Sequence, residues 1–199
     1  MKKYWLLIFL SIPFLLNARN AKEAFLSMPL NMFTELSINN RMDLVDSYEA
    51  ETDASVQNKL QEDVIIEKLT EDYLLLNSGN STIQIIVLPM VNESQLYCLI
   101  HTVCGPICDS KIEFYSLSWK KLSTDTFISI APQSWFIENM NEFPELAISF
   151  MQFLFDPDKK ILKQINNSPS YLGIQEQKKI KPYIKKESRE YKWDGLRFQ

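Results

Sequence analysis

An α+β fold, with N-terminal helices and one later helix packed on a mostly antiparallel meander sheet, is predicted by three features of the sequence. Apolar residues in the front part recur at helical spacing. The middle is a succession of β-branched and aromatic runs, separated by gaps too short for the crossovers that parallel neighbours need. A further helix-like segment opens with a proline, Pro144, at its first turn. The length of 199 residues suits one domain, and 46% hydrophobic against 23% charged residues is the balance of a globular core.

Lys2 and Lys3 precede an apolar run over residues 4–16, interrupted by Ser11 and Pro13, and Asn17-Ala18 follow. A basic start, an apolar stretch and a small residue describe a secretory signal peptide, here residues 1–18, ahead of a single α+β domain at 19–199. The run falls short of the about 20 apolar residues of a membrane-spanning helix. No cysteine stands at its end to take a lipid, so no stable membrane anchor is expected after cleavage. The expected location is periplasmic or secreted, where disulfides are permitted.

In the mature chain, residues 21–28 form a short helix stopped by Pro29, because the residue before a proline is pushed off helical angles. A second helix is expected over 31–36. A third is capped by Asn39 or Asn40 and buries Met42, Leu44, Val45 and Tyr48, leaving Arg41, Asp43, Asp46 and Glu49 largely wet. Strands are expected at 64–69, 73–77, 82–88, 96–103 and 111–117, with Ser78-Gly79-Asn80-Ser81 as one of the turns. The later helix covers 144–155 and packs Leu146, Phe150, Phe153 and Leu154 on the sheet. Residues 161–165 read equally as a short strand or a helical turn, and Tyr191-Lys192-Trp193 as a terminal edge strand.

Charge is unevenly distributed. Residues 19–77 carry twelve acidic and five basic side chains, net −7, whereas 174–199 carry eight basic and four acidic, net +4. A basic tail folded back on the acidic front half would lower their mutual electrostatic energy. The acidic total of the mature chain argues against a nucleic-acid partner.

Few residues carry chemistry. Four glycines and one histidine leave no phosphate loop, no Gly-x-Ser-x-Gly nucleophile elbow and no ordinary zinc-hydrolase set, so no cofactor, metal or catalytic residue is expected. Cys104-Gly105-Pro106-Ile107-Cys108 is one residue longer than the thioredoxin-type motif. It is followed by a strand pattern rather than by the helix N-terminus that activates a thiol, so it reads as a hairpin loop open to a disulfide between Cys104 and Cys108. Cys98 reads as a small buried hydrophobe. His101 projects opposite to Cys98 and Cys104 on a regular strand, which speaks against a shared metal. Acidic pairs such as Asp43 with Asp46 read as solvated surface. Lys178, Lys179, Lys181, Lys185 and Lys186 with Tyr183, Tyr191 and Trp193 resemble the basic–aromatic mix that meets nucleic-acid single strands or glycans, but the interspersed glutamates favour a solvated edge carrying core aromatics.

Several patches are familiar together: Met28-Pro29; Asn39-Asn40-Arg41-Met42-Asp43-Leu44-Val45-Asp46; Thr102-Val103-Cys104-Gly105-Pro106; Asp109-Ser110-Lys111-Ile112-Glu113-Phe114-Tyr115 with Trp119; and Tyr191-Lys192-Trp193 near Phe198. Spread over nearly the whole mature chain, they resemble an exported family of unknown function found in Bacteroides-type bacteria. The resemblance implies a periplasmic or secreted protein and transfers no activity, cofactor or site. The expected function is that of a non-enzymatic exported protein binding another envelope protein or a glycan, with Arg41, Asp43, Asp46, Lys185 and Lys186 as candidate interaction residues. The alternative is a small periplasmic hydrolase or carbohydrate-acting enzyme using carboxylates.

Overall fold

A seven-stranded antiparallel meander is the middle layer of the protein in a computed structural model that describes residues 19–52, 55–138 and 148–199. Its strands are β1 (Val56–Gln57), β2 (Asp63–Leu69), β3 (Tyr73–Ser78), β4 (Ser81–Pro89), β5 (Gln95–Cys104), β6 (Cys108–Tyr115) and β7 (Lys121–Leu122), each paired with the next in chain order. Gly79, at φ 55°, supplies the left-handed residue of the β3–β4 turn. Both edge strands are two residues long, which leaves little open ladder for a second chain to join.

Alternation along the central strands buries both faces. Ile83, Ile85 and Val87 of β4 and Tyr97 and Leu99 of β5 pack under α1 (Ala21–Ser27) and α2 (Ile38–Glu49), against Phe25, Leu44 and Val45. Ile86 and Leu88 of β4, with Leu96, Cys98 and Ile100 of β5, face the other way, toward Phe153, Leu162, Tyr191 and Phe198. That second cover is a small antiparallel sheet of β8 (Met151–Asp156), β9 (Ile161–Asn166) and β10 (Arg189–Lys192), in the order β10-β9-β8. The short helices α3 (Thr124–Phe127) and α4 (Ile174–Ile180) complete the described elements. The fold is α+β with a large antiparallel meander, as the sequence predicts.

Three local expectations are corrected. Residues 151–155 of the expected later helix form strand β8, while 144–147 lie outside the described residues, as do 1–18. Phe153 is buried and Leu154 is 39% exposed, a strand alternation that the short apolar run conceals. The turn after β8 then reverses the chain, with the Asp156 carboxylate accepting from the Asp158 and Lys159 N–H groups and Lys160 at φ 55°.

The third expected helix starts at Ile38, and Ser37 is its cap, its Oγ accepting from the Asn40 N–H at 3.1 Å. The buried stripe is Arg41, Leu44 and Val45 with Tyr48 half-buried, so Met42 turns outward. Arg41 is wholly buried, not wet: its guanidinium donates to the carbonyls of Phe25, Met28 and Phe33 and lies 5.7 Å from the Phe25 ring centre. It closes the C-terminal end of α1, where carbonyls lack helical partners. The helix expected at 31–36 is a single 3-10 turn, Leu30–Met32.

The small sheet stands on the large one through its open edge. The β8 N–H groups turned away from β9 donate to side chains rising from the large sheet: Met151 to Asp109 Oδ1 (2.8 Å), Phe153 to Ser110 Oγ (3.0 Å) and Phe155 to Gln84 Oε1 (2.9 Å). Gln84 also donates to the Phe153 carbonyl at 3.3 Å. An edge that would otherwise bury unpaired donors is thereby satisfied.

Candidate functional site

The five residues proposed from sequence as an interaction surface do not come together. Arg41 is core, and Asp43 and Asp46 are exposed on α2, while Lys185 and Lys186 follow α4 on the opposite side of the large sheet. The basic tail does not lie on the acidic front half. Among the described residues no ion pair joins a cation of 174–199 to a carboxylate of 19–77.

The tail instead builds a cationic groove of about 790 Å³ lined by Trp135, Glu138, Lys178, Lys181, Lys185 and Lys186 among others. Helix α4 places Lys178 one turn before Lys181, and Pro182 ends it, so that the chain returns past Trp135 with Lys185. The return is fixed by the backbone. The Glu138 N–H donates to the Tyr183 carbonyl at 2.8 Å, and the Lys185 N–H to the Phe136 carbonyl at 2.9 Å. The Lys185 ammonium then sits 4.6 Å from the Trp135 ring centre, and the Arg189 guanidinium 5.5 Å from the same ring. Among the described residues, none of the four lysines is within ion-pair distance of a carboxylate.

The sequence reading missed Trp135. The aromatics it did single out are mostly structural: Tyr191 is buried, with its hydroxyl donating to Gln164 Oε1 at 2.7 Å, and Trp193 meets Phe198 edge to face. No local pattern around Trp135 marks it, because its cationic neighbours arrive from a distant part of the chain.

Two other surface sites carry titratable groups. An open groove of about 1160 Å³ between α2 and the β2–β3 turn is lined by Glu49, Glu51, Glu71 and Lys22, and Glu49 is engaged by Lys22 at 2.7 Å. On the helix-side face of the large sheet, register aligns His101 with Lys111 and Tyr115 with Lys121 around Glu113. Burial pulls the Glu113 carboxyl upward, but hydrogen bonds from Lys121 (2.6 Å) and Lys111 (2.9 Å) outweigh it and hold the group below the ordinary glutamate range. Burial and the adjacent Glu113 push Tyr115 up to about 12, and burial lowers His101. Glu113 is thus a charged, fully engaged acceptor, the opposite of the proton-holding carboxyl that a general acid requires. Among the described residues no cluster of three or more histidine, cysteine or acidic side chains is placed to hold a metal.

Cys104 and Cys108 face each other across the β5–β6 hairpin and are joined as a disulfide, their α-carbons 4.0 Å apart. Asn167 Nδ2 donates to the Cys108 carbonyl at 2.9 Å, which ties this hairpin tip to the small sheet. Cys98 is free and wholly buried, and desolvation pushes its thiol far above the ordinary range, away from the reactive thiolate.

Fold and site define an α+β protein with a meander covered on both faces and a lysine-rich groove beside a tryptophan on one of them. The chain belongs to the family described as "Protein of unknown function (DUF3256)", whose model matches residues 14–198. No curated protein is similar to it. Among solved structures it is similar to "Structure of a domain of an uncharacterized protein from Porphyromonas gingivalis W83", at 23% identity and a TM-score of 0.78, over 92% of this chain and 99% of that one. That likeness concerns the fold.

Proposed function

We propose that the protein is exported and acts as a non-enzymatic binding module of the cell envelope, with the groove around Trp135 as its contact face. One observation carries this reading. Lys178, Lys181, Lys185 and Lys186 line one groove beside a half-buried tryptophan and outnumber the carboxylates of Glu138 and Glu187, with no carboxylate within ion-pair distance among the described residues, on the side of the sheet turned from α1 and α2. Holding like charges together is unfavourable unless an anion shares the site, so such an arrangement suits a negatively charged partner. Export is supported by the basic–apolar–small order of residues 1–18. Among the described residues no helix is long and apolar enough to cross a membrane.

The test is cosedimentation with envelope fragments isolated from the host. The protein is expected in the pellet at low salt, and the double variant Lys185→Glu/Lys186→Glu, with unchanged thermal unfolding, in the supernatant. Equal sedimentation of the two overturns the proposal.

A further inference from the structure

The groove does not end at Trp135. The same ring lines a second depression of about 380 Å³, walled by Ser129, Pro132, Arg189, Arg197 and Gln199 among others. The two hollows therefore adjoin through one indole, with four lysines on one side of it and two arginines on the other. Resting on the binding-module reading above, the geometry points to a linear anionic polysaccharide as the ligand of this trough, with its carboxylate or sulfate groups engaging both cationic ends.

Three alternatives fit the lining less well. A compact anion calls for donors converging in an enclosed pocket. Here the lysines border an open groove in which Glu138 and Glu187 are interspersed, so charge is distributed along a path rather than focused at a point. An acidic peptide adding a strand would need a free ladder. The end of β10 is closed by the chain itself, since Lys192 and Gln199 exchange backbone hydrogen bonds of 2.8 and 3.0 Å. A folded protein partner would find few apolar anchors, because among the described residues the lysine-bearing half offers only Pro182, Ile184 and the Trp135 ring among charged side chains.

A charged sugar chain matches what remains. Its anionic groups recur along its length, and its hydroxyls can donate to Glu138 and Glu187. Trp135 also holds Lys185 and Arg189 by their cation–π contacts, which lowers the side-chain entropy lost when an anion is engaged.

The experiment is calorimetric titration of the intact protein with polygalacturonate, heparin, dextran and poly-glutamate. Polygalacturonate tests carboxylate groups and heparin sulfate groups. One or both should bind, with affinity falling at least about tenfold between roughly 50 and 300 mM salt, while dextran gives no signal. Lys181→Ala and Arg197→Ala, one in each hollow, should each weaken polymer binding about threefold or more with thermal unfolding unchanged. Digalacturonate should bind at least about tenfold more weakly than the polymer, because it reaches one end only.

Failure of both polysaccharides to bind, poly-glutamate binding as tightly as they do, or equal affinity for digalacturonate and polymer overturns the assignment. So does indifference to Arg197→Ala. Each of these leaves the envelope-binding reading standing if Lys185→Glu/Lys186→Glu still abolishes cosedimentation; that reading falls only if cosedimentation survives the charge reversal.

Discussion

Arg41 shows how one side chain can reverse its expected role. At helical spacing it begins the buried stripe of α2, and its length carries the charge to three backbone carbonyls at and beyond the end of α1, where no carboxylate is needed to satisfy it. Burial lowers its pKa, the signature of a charge taken out of water. Arg41→Met removes the charge but strands the Met28 and Phe33 carbonyls, each costing about 1–3 kcal/mol when left unpaired, partly offset by relief of the buried charge. Urea denaturation should show a net loss of about 2–5 kcal/mol, and a loss below about 1 kcal/mol would mean the guanidinium is not what closes α1. Glu113 gives a prediction with a sign. Its folded pKa lies below the ordinary value, so its contribution is fully present above the unfolded pKa and lost as pH falls through the folded one. The stability difference between the wild type and Glu113→Gln, followed by urea midpoints from pH 7 down to about 3, should therefore shrink on acidification. A difference that is constant or grows would show that Lys111 and Lys121 do not stabilise the carboxylate.

At the level of elements, the edge of β8 carries the most consequence for little sequence signal. Gln84 is 2% exposed and serves both the Phe155 N–H and the Phe153 carbonyl, while also accepting from the Tyr73 hydroxyl at 3.2 Å. Gln84→Ala should cost about 1–3 kcal/mol and accelerate hydrogen exchange at the Phe155 amide by about tenfold or more. Unchanged exchange at Phe155 would show that the small sheet does not rest on this side chain. The meander was legible because β-branched runs with three- to seven-residue gaps admit hardly anything but hairpins. Strand β8 was not, since a short apolar stretch satisfies both periods and only its pairing with β9 decides between them. The cap of α2 was missed for a related reason: Ser37, Asn39 and Asn40 are all capping residues, and the choice depends on which register buries Arg41, a contact made with another helix. The groove divides in the same way. Its lysines are conspicuous in the sequence, whereas Trp135 reaches them only through the backbone bonds that pair Phe136 and Glu138 with Lys185 and Tyr183.

For the whole molecule, the large sheet acts as a partition between charges of opposite sign. Residues 19–52, with six acidic and three basic side chains, supply the helices over one face, and the tail, net +4, lies on the other. The ion pairs Lys68–Asp158 and Lys160–Asp72 tie the β2–β3 end to the β8–β9 turn, yet the tail lysines take no part in them. Among the described residues, attraction between the acidic front part and the basic tail is thus left unused in ion pairs. Contacts at Arg19 to Ala21 favour one of the two cleavage points that the proposed export would offer. Asn20 caps α1 by accepting from the Glu23 N–H at 2.8 Å, and the Ala21 N–H donates to the Glu71 carbonyl at 2.8 Å. Arg19 donates from its backbone to Gln95 Oε1 at 2.8 Å and from its guanidinium to the Leu117 carbonyl at 3.0 Å. Cleavage after Ala18 would convert the Arg19 N–H into an ammonium that still has Gln95 as acceptor. Cleavage after Ala21 would remove the cap and both Arg19 contacts. A chain beginning at Lys22 should then be less stable than one beginning at Arg19, by about 1–2 kcal/mol for the cap alone. Protein recovered from the periplasm or medium of its host is expected to read Arg19-Asn20-Ala21 on N-terminal sequencing. A start at Lys22 would show that these contacts do not set the mature terminus, and an intact Met1 on cytoplasmic material would end the case for export.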